Sequence, residues 1–377
     1  MDLGFTEEQE ILKKSAHSFL ARECPKKLTK ELDESETGFS PELWKKMADL
    51  GWMGSILPEE YGGSGGNYLD LIILLEEMGY NLLPGPFFST MVLGALPILR
   101  AGTEKQKELY LPLIAGGEKI LTMALTEVSG NYDAASVAVK ATSAGDGYVI
   151  NGLKLFVPDA HLADSILCVA RTKDGTDPEE GITLFIVDGK APGVKITLLK
   201  TLARDKQTEV AFDQVKVGQD RILGGLDCGW PVVKDALRKA AVAKAAELVG
   251  HSQAALEMAV NYAKERVQFG RPIGSFQAIQ HYCANMLSDV DSARYITYEA
   301  AWMISEGLEA VKQAAMAKAW VGDAARRVTL LAHQIFGAIG FTMEFDIHLY
   351  YRRALAGSQA FGDSDYQREI VAKAVGL

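Results

Sequence analysis

The chain has 377 residues, of which 48% are hydrophobic and 23% charged, and its net charge is −10 at neutral pH. That length supports two or three domains with real cores, and the composition is that of an ordinary globular protein. The acidic balance excludes nucleic acid or an anionic membrane as the main partner, though a local basic pocket for an anionic ligand remains compatible with it.

Cys24, Cys168, Cys228 and Cys283 are far apart, and the six histidines show no HExxH-type spacing, so no zinc pattern is present. Free thiols in a reducing cytosol are the simplest reading. The start "MDLGFTEEQE" is acidic and polar, unlike a signal peptide. The longest apolar stretch, "TMVLGALPIL" (90–99), is short for a bilayer span and contains a proline. The expectation is a soluble, cytoplasmic protein without membrane insertion.

In chain order, residues 1–118 read as a helical domain. Thr6 followed by Glu7, Glu8 and Gln9 has the form of a capping box. Ser40 before Pro41 marks a second helix start, and Trp44, Met47, Ala48 and Leu50 continue it at spacings of three and four. "GWMGSILPEEYGGSGG" (51–66) is loop. Two further helices are expected over 68–80 and about 87–100.

Residues 119–226 change character. "GDGYVINGLKLFV" (145–157) alternates and carries turn signals at 145–147 and at Asn151-Gly152, and "SILCVART", "ITLFIVD", "VKITLL" and "TEVAFDQVKV" are short β-branched runs. They predict an all-β domain, a barrel or sandwich. Residues 227–377 return to helix. An alanine-rich helix, apolar on more than one face, precedes two more over 275–305 and 309–337, which predicts a C-terminal four-helix-bundle domain. The fold class is therefore α+β in the order helical, β, helical, and domain junctions are common ligand sites.

Several segments then carry a family signature. "YAKERVQFGRPIGSFQAIQH" (262–281) and "QIFGAIGFTMEFDIHLYYRRA" (334–354) are the most specific, supported by "ALTEVSGNYD" (124–133) and "KLFVPDAHLAD" (154–164). Over nearly its whole length the chain resembles the acyl-CoA dehydrogenases, FAD flavoproteins with this α–β–α order. Singly, Arg266 would read as a surface ion pair, Gln334 as a helix-surface residue and Phe156 as core. Together, in this order, they support the resemblance.

The resemblance implies an FAD site. Arg266, Gln268, Phe269, Phe276 and Gln277 match residues that reach the cofactor of a neighbouring subunit, and a guanidinium suits a pyrophosphate. Gln334, Gly337 and Ala338 match the backbone against which the adenosine diphosphate half lies, where glycine permits close approach. Met123, Leu125, Thr126, Tyr132, Phe156 and Pro158 match the strands that hold the flavin ring, and Asp363 and Asp365 match further cofactor positions. Tyr132, Arg238 and Gly362 match substrate positions. An acyl-CoA thioester, an electron-transfer flavoprotein and a tetramer, either homomeric or α2β2 with a homologous chain, are the implied partners.

The chain departs from the family at the chemistry. The usual base is a glutamate before a glycine near the C-terminus, and an ungapped count from Gln367-Arg368 places Phe361 there, before Gly362. The alternative base position on the long helix holds Ala240, beside Ala241 in place of an arginine. Pro158 replaces the usual threonine at flavin N5 and offers only its carbonyl there. Tyr132 replaces a serine, Asn131 a glycine, and Ala338 the second glycine of a G-G pair. Asp363 is a candidate substitute base, but Asp and Ser before "DYQREIVAKAVG" also suit a helix N-cap, with Asp365 in the first turn. Three readings stay open: a subunit whose partner supplies the base or substrate pocket, a homo-oligomeric dehydrogenase with a displaced acid or none, and a non-catalytic FAD- or acyl-CoA-binding chain.

Overall fold

A computed structural model describes residues 4–377, so the first three residues of the polar N-terminal stretch lie outside it. The N-terminal helices are α1 (Glu7–Glu23), α2 (Lys26–Glu34), α3 (Pro41–Asp49) and α4 (Tyr68–Asn81), then a π-helical segment (Ser89–Ala95) running into α5 (Leu96–Ala101), and α6 (Glu104–Ala115). Local chemistry sets their starts. Thr6 Oγ1 accepts from the Gln9 amide while the Gln9 side chain accepts from the Thr6 amide, each at 3.2 Å, as the capping box predicted. Ser40 caps α3 with Pro41 in its first turn. The helix expected over about 87–100 is present, but its first two turns are π-helical, a form that favours functional sites and that sequence periodicity does not reveal.

Strands β1 (Leu121–Ala124), β2 (Lys140–Ala144), β3 (Gly147–Pro158), β4 (Ser165–Arg171), β5 (Ile182–Asp188), β6 (Val194–Leu199), β7 (Gln207–Gly218) and β8 (Ile222–Leu223) form one sheet in the order β6-β7-β3-β2-β4-β5-β8, with β1 paired to β4. β6 and β8 end that path without pairing to each other among the described residues, so the sheet stays open rather than closing as a barrel. Val139, Ile150, Ile166, Phe185, Val210 and Phe212 lie in its core. The Asn151-Gly152 turn expectation is corrected. β3 runs through both residues, and the register of β3 on β7 shifts there as a bulge. Pairing with β7 on one edge and β2 on the other outweighs the dipeptide's turn preference.

The remaining elements are α7 (Trp230–Glu265), a hairpin of β9 (Val267–Gln268) and β10 (Arg271–Pro272), α8 (Gln277–Ser305), α9 (Val311–Phe336), α10 (Ile347–Gln359) and α11 (Ser364–Ala374). The helical, β, helical order thus stands as expected. By contacts the chain groups into two compact units. One comprises 1–30, 67–83 and 241–377, and the other 31–66 and 84–240. In the first unit α4 and the C-terminal part of α7 cross at a glycine pair. A Cβ on Gly79 would lie 2.2 Å from the Glu247 carbonyl oxygen, and one on Gly250 2.0 Å from that of Glu76.

Candidate functional site

In the unit that holds the sheet, β1 leads into Leu125 and Thr126, and the end of β3 lies beside this segment. The Leu155 amide donates to the Thr126 carbonyl at 2.8 Å. Met123, Leu125 and Thr126 are buried. A second register shift of β3 on β7, between Lys154 and Val157, spans Phe156, whose φ is 52° and whose exposure is 57%. The bulge thus turns an aromatic ring out of a strand that is otherwise largely paired. Tyr132 lies farther on, half-buried in the loop before β2.

The Pro158 carbonyl accepts from Thr122 Oγ1 at 2.6 Å, which ties β3 to β1. Arg238 also has a definite partner. Its guanidinium bonds the Asp235 carboxylate, which in addition meets Arg100 at 2.8 Å and Lys239 at 2.9 Å. Burial alone would raise the Asp235 carboxyl, but these three cations hold it below the usual range. Ala240 is fully buried, and Ala241 nearly so.

Sequence reasoning missed the brace beneath this surface. Lys154 is fully buried, and its Nζ donates to the Leu125 carbonyl at 2.9 Å and to Glu127 Oε1 at 2.7 Å. The same carboxylate accepts from the amides of Ala138 at 3.0 Å and Val139 at 3.1 Å. Burial lowers the Lys154 pKa, opposed by the Glu127 charge. The signal was available, since Glu127 and Lys154 both sit in family-like segments, but neither had an evident partner.

In the helical unit, the β9–β10 hairpin turns through Phe269 and Gly270, with φ of 54° and 80°. Phe269 is 91% exposed and meets Phe276 edge-on at 6.0 Å, while the Arg271 guanidinium lies 4.2 Å above the Phe276 ring. Arg266, Gln268 and Gln277 are exposed nearby. Tyr262, one turn before Arg266, stacks on Phe336 at 4.4 Å, which brings the hairpin and the C-terminal end of α9 to one end of the bundle. Gln334, Gly337 and Ala338 are exposed there. Gly337 has φ 68° and ψ −149°, a conformation open essentially to glycine alone, and a Cβ on it would meet nothing within 4 Å.

The C-terminal turn belongs to a different part of α9. Ser364 Oγ donates to the Ala319 carbonyl and to Asp323. This contact lies about 16 Å or more along the axis from Gln334, at about 1.5 Å per residue. Within one chain, therefore, the turn and the hairpin end are not brought together. Phe361 is half-buried with φ 58°, and Gly362 has φ 91°. Asp363 Oδ1 accepts from the Tyr366 amide at 2.9 Å, so the expected N-cap of α11 is present, with Asp365 in its first turn. An open groove of about 560 Å³ between α7 and α8, lined by Leu256, Val260, Cys283 and Leu287, contains none of these residues.

These features fit FAD. The bare backbone at Gly337 leaves room for close approach, Arg266 offers an exposed guanidinium, and Phe156 and Phe269 offer aromatic surface. Family models described as the acyl-CoA dehydrogenase N-terminal, middle and C-terminal domains match residues 6–118, 122–215 and 227–376. A 3-(aryl)acrylate reductase of Clostridium sporogenes is 36% identical over 98% of each chain. The caffeyl-CoA reductase-Etf complex subunit CarC of Acetobacterium woodii is 32% identical over 97% of this chain and 98% of its own. The solved butyryl-CoA dehydrogenase of Megasphaera elsdenii is 31% identical over 100% of both chains, with a TM-score of 0.93.

Proposed function

The chain belongs to the acyl-CoA dehydrogenase family, an FAD-dependent oxidoreductase family, and on that premise we propose that it exchanges two electrons at the α,β-bond of an acyl-CoA thioester bearing an aryl or otherwise bulky planar acyl group. What supports this reading is Phe361, a half-buried ring at the position where an ungapped count from Gln367-Arg368 puts the family's usual carboxylate. An aromatic side chain there removes charge and offers a face on which a planar acyl group stacks. The aryl and caffeyl substrates named for the two relatives point the same way.

Bound FAD supplies the hydride chemistry at the acyl β-carbon. In this reading the segment Met123–Thr126, Tyr132, Phe156 and Pro158 flank the flavin ring, and the Lys154–Glu127 brace fixes the height of that surface. Arg266, Gln268, Phe269, Phe276, Gln277, Gln334, Gly337 and Ala338 serve the cofactor of a neighbouring copy, which accounts for a ring as exposed as Phe269 and makes a tetramer the working assembly. In the same reading Asp363 and Asp365 of the C-terminal turn contact the flavin, and Gly362 of that turn contacts the substrate, a role that Arg238 also has by its match to the family. An electron-transfer flavoprotein is the redox partner, in line with the Etf complex named for the Acetobacterium woodii relative.

The α-proton needs a group within hydrogen-bond reach. Phe361 and Ala240 have no such group, and Asp363 is engaged as a helix cap. That vacancy of acids favours a second reading, an α2β2 enzyme in which a homologous chain completes the chemistry. One experiment separates the two. The chain is purified alone, its visible spectrum recorded, and 3-phenylpropionyl-CoA and butyryl-CoA added in turn. Bleaching of the flavin band by the aryl thioester alone supports the aryl reading, and bleaching by butyryl-CoA alone overturns it. A colourless protein that acquires flavin only on co-expression with a homologous chain selects the α2β2 enzyme.

A further inference from the structure

We propose that Lys318 is the positioning residue of the turn that carries Phe361: its buried side chain grips that turn from beneath and sets the direction of the aromatic ring. Lys318 sits on α9 with no side-chain exposure, in a helix otherwise rich in alanine. Its Nζ donates to the carbonyls of Ser358 and Gly362, both at 2.9 Å. The Ser358 carbonyl is in the last turn of α10, where carbonyls lack intrahelical partners and a cation is favoured. The Gly362 carbonyl belongs to the turn itself. Between them the Phe361 carbonyl accepts from Gln367 Nε2 at 2.7 Å, from the α11 side.

The turn needs this grip. Phe361 holds a left-handed backbone conformation that side chains other than glycine adopt only where their surroundings over-determine it. Gly362 cannot relax by acquiring bulk, because a Cβ there would lie 2.3 Å from the Tyr366 ring. Two carbonyls fixed by one ammonium and a third fixed by Gln367 leave the Phe361 peptide a single orientation. The charged groups facing Lys318 are Lys244 from α7, Asp363 from the turn and Asp323 on α9 itself, the last also bonded by Arg368 from α11. Burial, then Lys244, lowers the Lys318 pKa to about 7, with the two aspartates opposing. Protonated, the amine makes charge-assisted bonds to both carbonyls, and neutral it makes weaker ones. The grip therefore loosens as pH rises through that value.

The importance of this grip for ligand binding rests on the reading that the turn faces the acyl group, and the test keeps the two apart. Full-length protein carrying FAD is compared with Lys318→Met and Lys318→Arg. Amide hydrogen exchange over residues 358–367 reports the turn, and binding of cinnamoyl-CoA, followed by the flavin spectrum, reports the site. In Lys318→Met the turn amides are expected to exchange about tenfold faster while the β-sheet amides do not change, with Lys318→Arg intermediate. Cinnamoyl-CoA affinity should fall about tenfold and lose its pH dependence near pH 7, with flavin content retained. Unchanged exchange over 358–367 in Lys318→Met overturns the proposal. If the turn loosens but wild-type protein does not bind cinnamoyl-CoA, the grip stands and the aryl-thioester reading falls. Should Lys318→Met fail to fold, wild-type exchange from about pH 6 to about pH 8, corrected for intrinsic rates, decides instead. Turn protection that falls while α9 protection holds supports the grip, and flat protection overturns it.

Discussion

Replacing Lys154 by methionine tests the brace that ties β3 to the segment after β1. The substitution keeps most of the side-chain volume but removes an ammonium that is fully buried between the Leu125 carbonyl and Glu127. Breaking a buried pair by deleting one partner costs about 3–5 kcal/mol, because the other charge is left in low dielectric. Here Glu127 keeps the Ala138 and Val139 amides, which places the loss at the lower end, about 3 kcal/mol. The Glu127→Gln/Lys154→Met double variant no longer buries a lone charge, so it should recover part of that loss, with a coupling of about 1–3 kcal/mol. Urea unfolding of wild type, both single variants and the double variant, followed by circular dichroism, gives all four terms. A Lys154→Met loss under about 1 kcal/mol, or a double variant equal to the sum of the singles, would refute the argument.

Other outcomes can be stated briefly. Gly362→Ala should destabilise the protein by about 2–4 kcal/mol in the same urea titration, since it adds an overpacked contact with Tyr366 to a left-handed backbone. Phe361→Glu should confer or raise turnover of butyryl-CoA in a dye-linked assay, and no gain would show that this position alone does not account for the missing base. Asp235 is a carboxylate whose pKa is lower in the folded than in the unfolded state. Its contribution is therefore complete above the unfolded value of about 3.9 and is lost as pH falls through the lower folded value. Acid unfolding of Asp235→Asn should accordingly be shallower below about pH 4 than that of wild type, and superimposable profiles would contradict the assignment.

The parts of the site that were legible in the sequence are those where identity and spacing carry the chemistry. The run from Arg266 to Gln277 carried the family resemblance in this way, and Asp363 as an N-cap was legible because a cap depends only on the next three residues. Less was legible wherever distant segments decide the outcome. Lys154 meets Glu127 across 27 residues and Lys318 meets Gly362 across 44, and a lysine in an alanine-rich helix ordinarily reads as a solvated face. The opposed glycines Gly79 and Gly250 look ordinary until α4 and α7 are seen to cross. Asn151-Gly152 shows the reverse failure, a strong local signal overruled by pairing on both edges of β3. The Pro158 carbonyl accepts from Thr122, a partner invisible without the β1–β3 contact.

The interleaving of the two compact units bears on how the protein is made. The helical unit takes its first two segments from residues 1–30 and 67–83 and the rest from 241–377. Buried Glu76 of α4 pairs with Lys13 of α1 at 3.2 Å, but its other partners, Arg294 and Tyr298, belong to α8. At about 5–20 residues per second, α1 wholly precedes the third segment by about 10–40 s of synthesis. During that interval the apolar run Leu71–Leu75, which is fully buried in the finished fold, has none of its final partners from α7 or α8. The sheet-bearing unit is complete once residue 240 has emerged, whereas the helical unit has to wait for the end of the chain. Nascent-chain stability should thus rise in two steps, and the segments carrying α1 and α4 are the portion most in need of a chaperone.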